Sequence, residues 1–336
     1  MKTIITYNTP FNLENWNQLC YKEGNAVQQV LYDKLNALYS YIPVYIELYK
    51  DDKLIAGVKY YYYESNKLKF ITKPLSKRIN ILGECVFSSQ DNILELKNLL
   101  EKEIVRIVEK QGIVELTISG YYGNEDKLLQ LPKQKNFKAH VFNTANIDLT
   151  LTQETLWDNL HSKHRNVIRK AEKEGVEFVE SADFEIFKKL LQETYAAQGQ
   201  DNYNTKFTET LFNIYATEGL TKMYFAKYKE EYLSSALLFF YGKTVYYAFG
   251  GNKQNSLGAG NFLQWKIFLE LKNAGFEVYC LGQVAKETDE ANQKFTVGIS
   301  QFKTRFGTYQ LPSFKHIYQI HPTRNKLFNL LAGFNK

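Results

Sequence analysis

The sequence predicts an α/β (α+β) fold built twice over. The first observation is a repeated hairpin. Tyr45-Ile46-Glu47-Leu48-Tyr49-Lys50-Asp51-Asp52-Lys53-Leu54 aligns with Tyr224-Phe225-Ala226-Lys227-Tyr228-Lys229-Glu230-Glu231-Tyr232-Leu233 at an offset of 179. Each copy reads as a strand of aromatic and β-branched residues, an acidic turn, then a longer strand. The second observation is a matched block downstream of each hairpin. A helix over Asn92–Lys110, Gly112 and a strand over Ile113–Ile118 match a helix over Gly260–Asn273, Gly275 and a strand over Phe276–Leu281, at an offset of 163. The third is length: 336 residues suit two domains. Each half is therefore expected to be a mixed, mostly antiparallel sheet flanked by helices. The divide is placed where a strand gives way to a capped helix near Asn146–Thr152, with domains over 1–149 and 150–320. Pro322 opens a last helix.

Composition narrows the class. A hydrophobic share of 44% supplies real cores, and a net charge of +6 suits a local basic site better than a chain that coats nucleic acid. No DNA partner is expected. Cys20, Cys85 and Cys280 are odd in number and far apart, which argues for reduced thiols, a cytoplasmic setting and no structural zinc. The N-terminus has no apolar stretch of signal length, and no run approaches a membrane span. The amphipathic helix Leu327–Phe334 is expected to dock on its own domain or to rest on a membrane surface.

The most informative stretch is Lys163–Val176. Five Lys/Arg stand against two acids between Lys163 and Glu174, and Gly175 marks the helix end. At about 100° per residue, Trp157, Leu160, His164, Val167, Ile168 and Ala171 share one face. Lys163, Arg165, Arg169, Lys170 and Lys173 take the other. That ridge is either a solvated face or a seat for a polyanion such as a phosphate or tRNA. His161 and His164 have a metal-compatible spacing, but the cations around them oppose a metal site.

Two further segments carry chemistry. Asn255–Asn261 places Gly258 and Gly260 at the start of a helix, where backbone N–H groups can face an anion. An ordinary glycine turn reads equally well. The first copy has Phe87-Ser88-Ser89-Gln90-Asp91 there, without glycine. In Lys294–Gly307, Phe295, Ile299, Phe302 and Phe306 repeat at helical spacing as a core face. Lys303 and Arg305 project elsewhere, either to stabilise developing negative charge or as solvated helix-end cations.

These segments, in this order, resemble the Fem family of peptidoglycan-bridge aminoacyltransferases and related GNAT-like acyltransferases. The likeness rests on the basic helix, on Leu257-Gly258-Ala259-Gly260-Asn261-Phe262-Leu263-Gln264-Trp265 and on Gly298-Ile299-Ser300-Gln301-Phe302-Lys303-Thr304-Arg305-Phe306-Gly307. The two-copy layout extends it over the whole chain. The resemblance implies tandem GNAT-like domains, the first a degenerate substrate platform that receives the C-terminal helix 321–336, the second catalytic. It implies N-acyl transfer to an amine of a cell-envelope precursor of peptidoglycan or polysaccharide type. The donor would be aminoacyl-tRNA or acyl-CoA, with no permanently bound cofactor and no metal. The acceptor would be phosphorylated or lipid-linked, with tRNA and the inner membrane face as further contacts. Lys303 matches the family's functional lysine, and Tyr247 the place of a substrate-facing aromatic. Gly258, Ala259, Gly260 and Asn261 would hold the donor. Arg165, Arg169, Lys173 and Arg305 would hold phosphates, together with Lys206, the one cation found where an acceptor-binding arginine is sought. The rival is a non-catalytic RNA- or phosphoglycan-binding module on the same scaffold.

Overall fold

The computed structural model describes residues 1–333 apart from 24–25, 67–68, 122–124, 133–135, 198, 200–203, 255–256 and 285–292. The chain divides into two compact units, residues 1–141 with 312–336, and residues 142–311. The divisions fall inside two strands, whereas the sequence places them at 149/150 and 320/321.

In the first unit, β1 (Lys2–Tyr7), helices α1 (Leu13–Lys22) and α2 (Asp33–Ala37), and strands β2 (Ile42–Lys50) and β3 (Lys53–Tyr63) come first. Helix α3 (Lys69–Ser76), β4 (Arg78–Leu82), the short β5 (Val86–Phe87), α4 (Ile93–Gln111) and β6 (Glu115–Gly120) follow. The chain leaves along β7 (Phe137–Asp148). The second unit continues with α5 (Gln153–Asn159), α6 (Ser162–Glu174), β8 (Glu177–Glu180), α7 (Phe184–Ala196) and α8 (Lys206–Ala216). Then come β9 (Thr221–Tyr228), β10 (Glu231–Tyr241), β11 (Thr244–Asn252), α9 (Ala259–Asn273), β12 (Val278–Val284) and α10 (Gln293–Thr304). The chain returns along β13 (Tyr309–Gln319) to α11 (Pro322–Gly333).

The strands of the two units follow one order. In the first unit the order is β1-β2-β3-β4-β6-β13, with only the β4/β6 pair parallel. In the second it is β8-β9-β10-β11-β12-β7, with only β11/β12 parallel. The duplication expected from sequence is thus present strand for strand. The sixth strand of each unit stands apart in sequence from the order of the other five: β13, which follows the second unit, completes the first, and β7, which precedes α5, completes the second. The turns take the expected conformations. Asp51 and Asp52 both have positive φ, 51° and 58°, the backbone a tight two-residue hairpin needs. Gly112 ends α4 and Gly175 ends α6, both left-handed.

Each unit has its own apolar core. In the first, Val44, Ile46, Val58, Ile79 and Ile118 of the sheet pack on Leu100 and Ile104 of α4. In the second, Ala236, Leu238, Val245 and Leu281 pack on Leu263, Ile267 and Phe268 of α9. The tyrosine run divides as sheet packing demands, with Tyr60 and Tyr61 buried and Tyr62 and Tyr63 half-buried. The first unit also holds a buried ion pair, Lys59 Nζ to Asp33 Oδ1 at 2.6 Å. The Tyr61 hydroxyl donates to Asp33 at 2.7 Å, Tyr45 donates to its other oxygen, and Gln29 O accepts from Lys59 at 2.5 Å. This pins the segment before α2 to the sheet. The hairpin offset puts Leu238 where the first unit has Lys59.

Candidate active site

The two units differ where their parallel strands meet. In the first, all five residues of β4 pair with β6. In the second, β11 and β12 pair only over Thr244–Tyr246 and Val278–Cys280, then separate. Register shifts help them part. Ala248 is skipped between β10 and β11, and Leu281 between β12 and β7. A β-bulge bends its strand and re-aims the residues beyond it. The wedge that opens is a cleft of about 680 Å³, lined from α7, β11, the start of α9, β12 and α10.

The end of the cleft at α9 is built on close approach. Gly258 caps α9 at φ 72°, and a Cβ there would lie 2.0 Å from Val167 Cγ1 of α6. A Cβ on Gly260 would lie 2.9 Å from Asn252 Oδ1, which accepts from Ser234 Oγ at 2.6 Å. The N-cap glycine gives the helix no side-chain hydrogen bond, and Gly258, Ala259, Gly260 and Asn261 line the cleft at the positive end of the helix dipole. Gly251 lets α7 approach β11: a Cβ there would lie 2.6 Å from the Leu190–Leu191 backbone. Thr194 fastens the contact, its hydroxyl accepting from Asn252 N–H at 2.6 Å and donating to Leu190 O at 2.9 Å.

Lys303 lines the facing wall. It is half-buried, and its Nζ donates to Gln283 O of β12 at 2.9 Å. Burial pushes its pKa down to about 8. Cys280, buried close behind, has its thiol pushed up by burial, so it is an inert apolar group. Tyr247 lines the cleft from β11, with its hydroxyl over Gly250, where a Cβ would lie 1.6 Å from it. Burial raises the Tyr247 phenol to about 12, so it faces the cleft as a neutral donor.

The structure thus brings Lys303, Tyr247, Gly258, Ala259, Gly260 and Asn261 to one cleft. It does not bring Arg165, Arg169, Lys173, Lys206 or Arg305 to the lining. The Arg165 guanidinium donates to Asp158 O and Leu160 O, both at 2.8 Å, and closes the end of α5 instead of joining the ridge. Arg169 lies over the Trp157 ring at 5.2 Å, and Arg305 donates to Gln301 Oε1 at 3.3 Å. Lys173 and Lys206 are exposed. Asn255 and Ser256 of the glycine segment, and the Phe295 side chain, lie outside the described residues. Ile299, expected in the core, is 37% exposed and lines the cleft, whereas Phe306 is buried against His164 and Phe268. His161 and His164 serve structure: His161 Nδ1 accepts from Lys163 N–H, and His164 Nε2 meets Phe302 O at 3.0 Å.

Sequence reasoning missed Thr194, Asn252 and Gln283. Their signal is weak, since single polar residues on α7, β11 and β12 converge only in three dimensions. The Gly250-Gly251 pair at the end of a strand was the one readable sign of close backbone approach.

Comparison with known proteins agrees with this geometry. The "Acetyltransferase (GNAT) domain" family matches residues 159–294, which hold α6, the cleft strands and α9. A sequence comparison with curated proteins gives no match. Among solved structures, FemX superposes with a TM-score of 0.74 at 14% identity, covering 97% of this chain and 99% of FemX. L-PGS from Bacillus licheniformis gives 0.56 at 12% identity, covering 96% and 98%. A tandem GNAT protein from the clavulanic acid biosynthesis pathway gives 0.53 at 9% identity, covering 95% and 98%. At such identities these likenesses establish the fold. Residues 159–294 therefore match the model of a GNAT acetyltransferase domain, and the whole chain shares its fold with FemX and with the tandem GNAT protein.

Proposed function

We propose that this chain is an N-acyltransferase that moves an acyl or aminoacyl group from an activated carrier to an amine of a cell-envelope precursor. The observation that carries the reading is the wedge between β11 and β12. It holds Lys303, Tyr247 and the glycine-capped start of α9 around one space of about 680 Å³. A carrier's phosphates fit the α9 amides, and its acyl carbonyl then lies between the parted strands. The acceptor amine attacks that carbonyl, and the C–N bond forms as charge collects on oxygen. Lys303 stabilises that charge. With a pKa near 8 it can also pass a proton to the leaving alcohol or thiol as the C–O or C–S bond breaks. The amine's surplus proton restores the lysine. Proximity in the cleft supplies much of the rate.

Acyl-CoA is the co-substrate of GNAT domains, and aminoacyl-tRNA is the competing donor. The exposed cations of α6, Lys163, Lys170 and Lys173, flank the helix that carries Val167 against Gly258, which supports a long polyanionic carrier. The test is transfer of label from acetyl-CoA and, separately, from charged tRNA to a pool of envelope precursors. Product from either donor, lost in Lys303→Ala, is expected. Polyanion binding without product from either donor would establish the rival binding module.

A further inference from the structure

Two helices of the first unit bury polar side chains and leave part of their apolar surface facing outward. Helix α3 buries Thr72 and Ser76, and leaves Phe70 99% and Ile71 56% exposed. Helix α11 buries Asn325, and leaves Leu327 46% and Leu330 61% exposed. Asn325 is held by polar bonds to Arg78 at 2.5 Å, Glu115 at 3.0 Å and Gln319 at 2.7 Å. A helix that docks only to stabilise its own domain buries its apolar stripe and turns its polar face to water. The two helices pack against each other, so their apolar side chains stand on adjoining surfaces. Arg78 braces α11 from the sheet side, 4.8 Å from the Phe328 ring.

Charge points the same way. Lys69–Ser76 and Pro322–Gly333 contain Lys69, Lys73, Arg324 and Lys326 and no acid. Glu64 takes up Lys73, while Arg324 and Lys326 are exposed. Among the described residues, no helix is long and apolar enough to cross a membrane. Exposed Phe and Leu beside these cations suit the boundary between lipid headgroups and acyl chains.

We propose that the α3–α11 face docks on the surface of an anionic phospholipid bilayer. Phe70, Ile71, Leu327 and Leu330 enter the acyl boundary, and Arg324 and Lys326 meet lipid phosphates. The proposal stands apart from the chemistry of the cleft.

The test uses the full chain and flotation with vesicles of phosphatidylcholine, either alone or with roughly 30% phosphatidylglycerol. Binding is expected to the anionic vesicles and to weaken as salt rises from about 0.1 M to about 1 M. Phe70→Ser with Leu330→Ser should lower the apparent affinity at least about tenfold while keeping the wild-type melting temperature, because both side chains are exposed. Lys326→Glu should weaken binding without touching the apolar contacts. Lys303→Ala should bind vesicles as the wild type does, which separates failure of this inference from failure of the cleft reading. No binding to anionic vesicles, binding indifferent to lipid charge, or binding unchanged in the double variant would overturn the proposal. So would a dimer in light scattering that Phe70→Ser dissolves without any vesicle binding, since a second copy would then cover the face.

Discussion

Gly258 stands against Val167 with no room for a side chain between them, because a Cβ on the glycine would lie 2.0 Å from Val167 Cγ1. The contact sets how closely α6 and α9 pack, and so where the amides of α9 open into the cleft. Gly258→Ala adds both the clash and the strain of a left-handed alanine at φ 72°. It is expected to cost about 2–4 kcal/mol of stability in urea unfolding, and to lower activity. Val167→Ala in the same chain should restore part of the stability. No recovery would show that the backbone conformation, and not the contact, sets the cost.

The burial of Lys303 works against stability. An unfolded lysine keeps its proton to a pH near 10.4, whereas burial brings this one to about 8. Between those values the unfolded chain binds more protons, so stability should rise as pH increases from about 8 to about 10.5. Below pH 8 the burial penalty is fully present. Lys303→Met should raise the melting temperature at pH 7 by roughly 2 °C. It should also lower kcat/KM about 10²-fold or more. In the wild type, kcat/KM should fall as pH rises through about 8, and Lys303→Met should lose that limb. A variant with undiminished kcat/KM would remove Lys303 from the mechanism.

The cations of α6 should separate into two kinds. Arg165 holds two carbonyls at 2.8 Å, so Arg165→Ala should cost about 1–3 kcal/mol in thermal or denaturant unfolding. Lys173 is exposed, so Lys173→Ala should leave stability within about 0.5 kcal/mol. If the ridge carries a polyanionic donor, Lys163→Ala and Lys173→Ala should raise its KM more steeply at low salt than at high salt. Equal behaviour of Arg165 and Lys173 in unfolding would contradict the helix-end role of Arg165.

The first unit is expected to be most sensitive at its buried ion pair. Lys59→Met leaves Asp33 facing the Tyr45 and Tyr61 hydroxyls without its cation, and should cost about 3–5 kcal/mol. Lys59→Met with Asp33→Leu should be less damaging than Lys59→Met alone, since no charge is then left unpaired. A double-mutant cycle by denaturant unfolding measures the difference.

The duplication was legible in the chain because hairpin turns, strand periodicity and helix-ending glycines are local. Asp51-Asp52, Gly112 and Gly175 each dictate the backbone within a few residues. The glycine segment and Lys303 were legible as candidates from their residue types, and both line the cleft. What tertiary structure alone decided is non-local. The pairing of β13 with β6, and of β7 with β12, joins segments far apart in sequence, and local residue patterns near 141 or 312 do not encode it. Arg165 looked like part of a cationic ridge on the helical wheel, yet the end of α5 folds back within reach and claims its guanidinium. The segment Leu327–Phe334 read as an amphipathic helix that docks on its own domain or rests on a membrane surface; Asn325, bonded to Arg78, Glu115 and Gln319, 247, 210 and 6 residues away, decides that Leu327 and Leu330 face outward. Amphipathic spacing says that a helix has two faces; only the groups that meet it in space decide which one is buried.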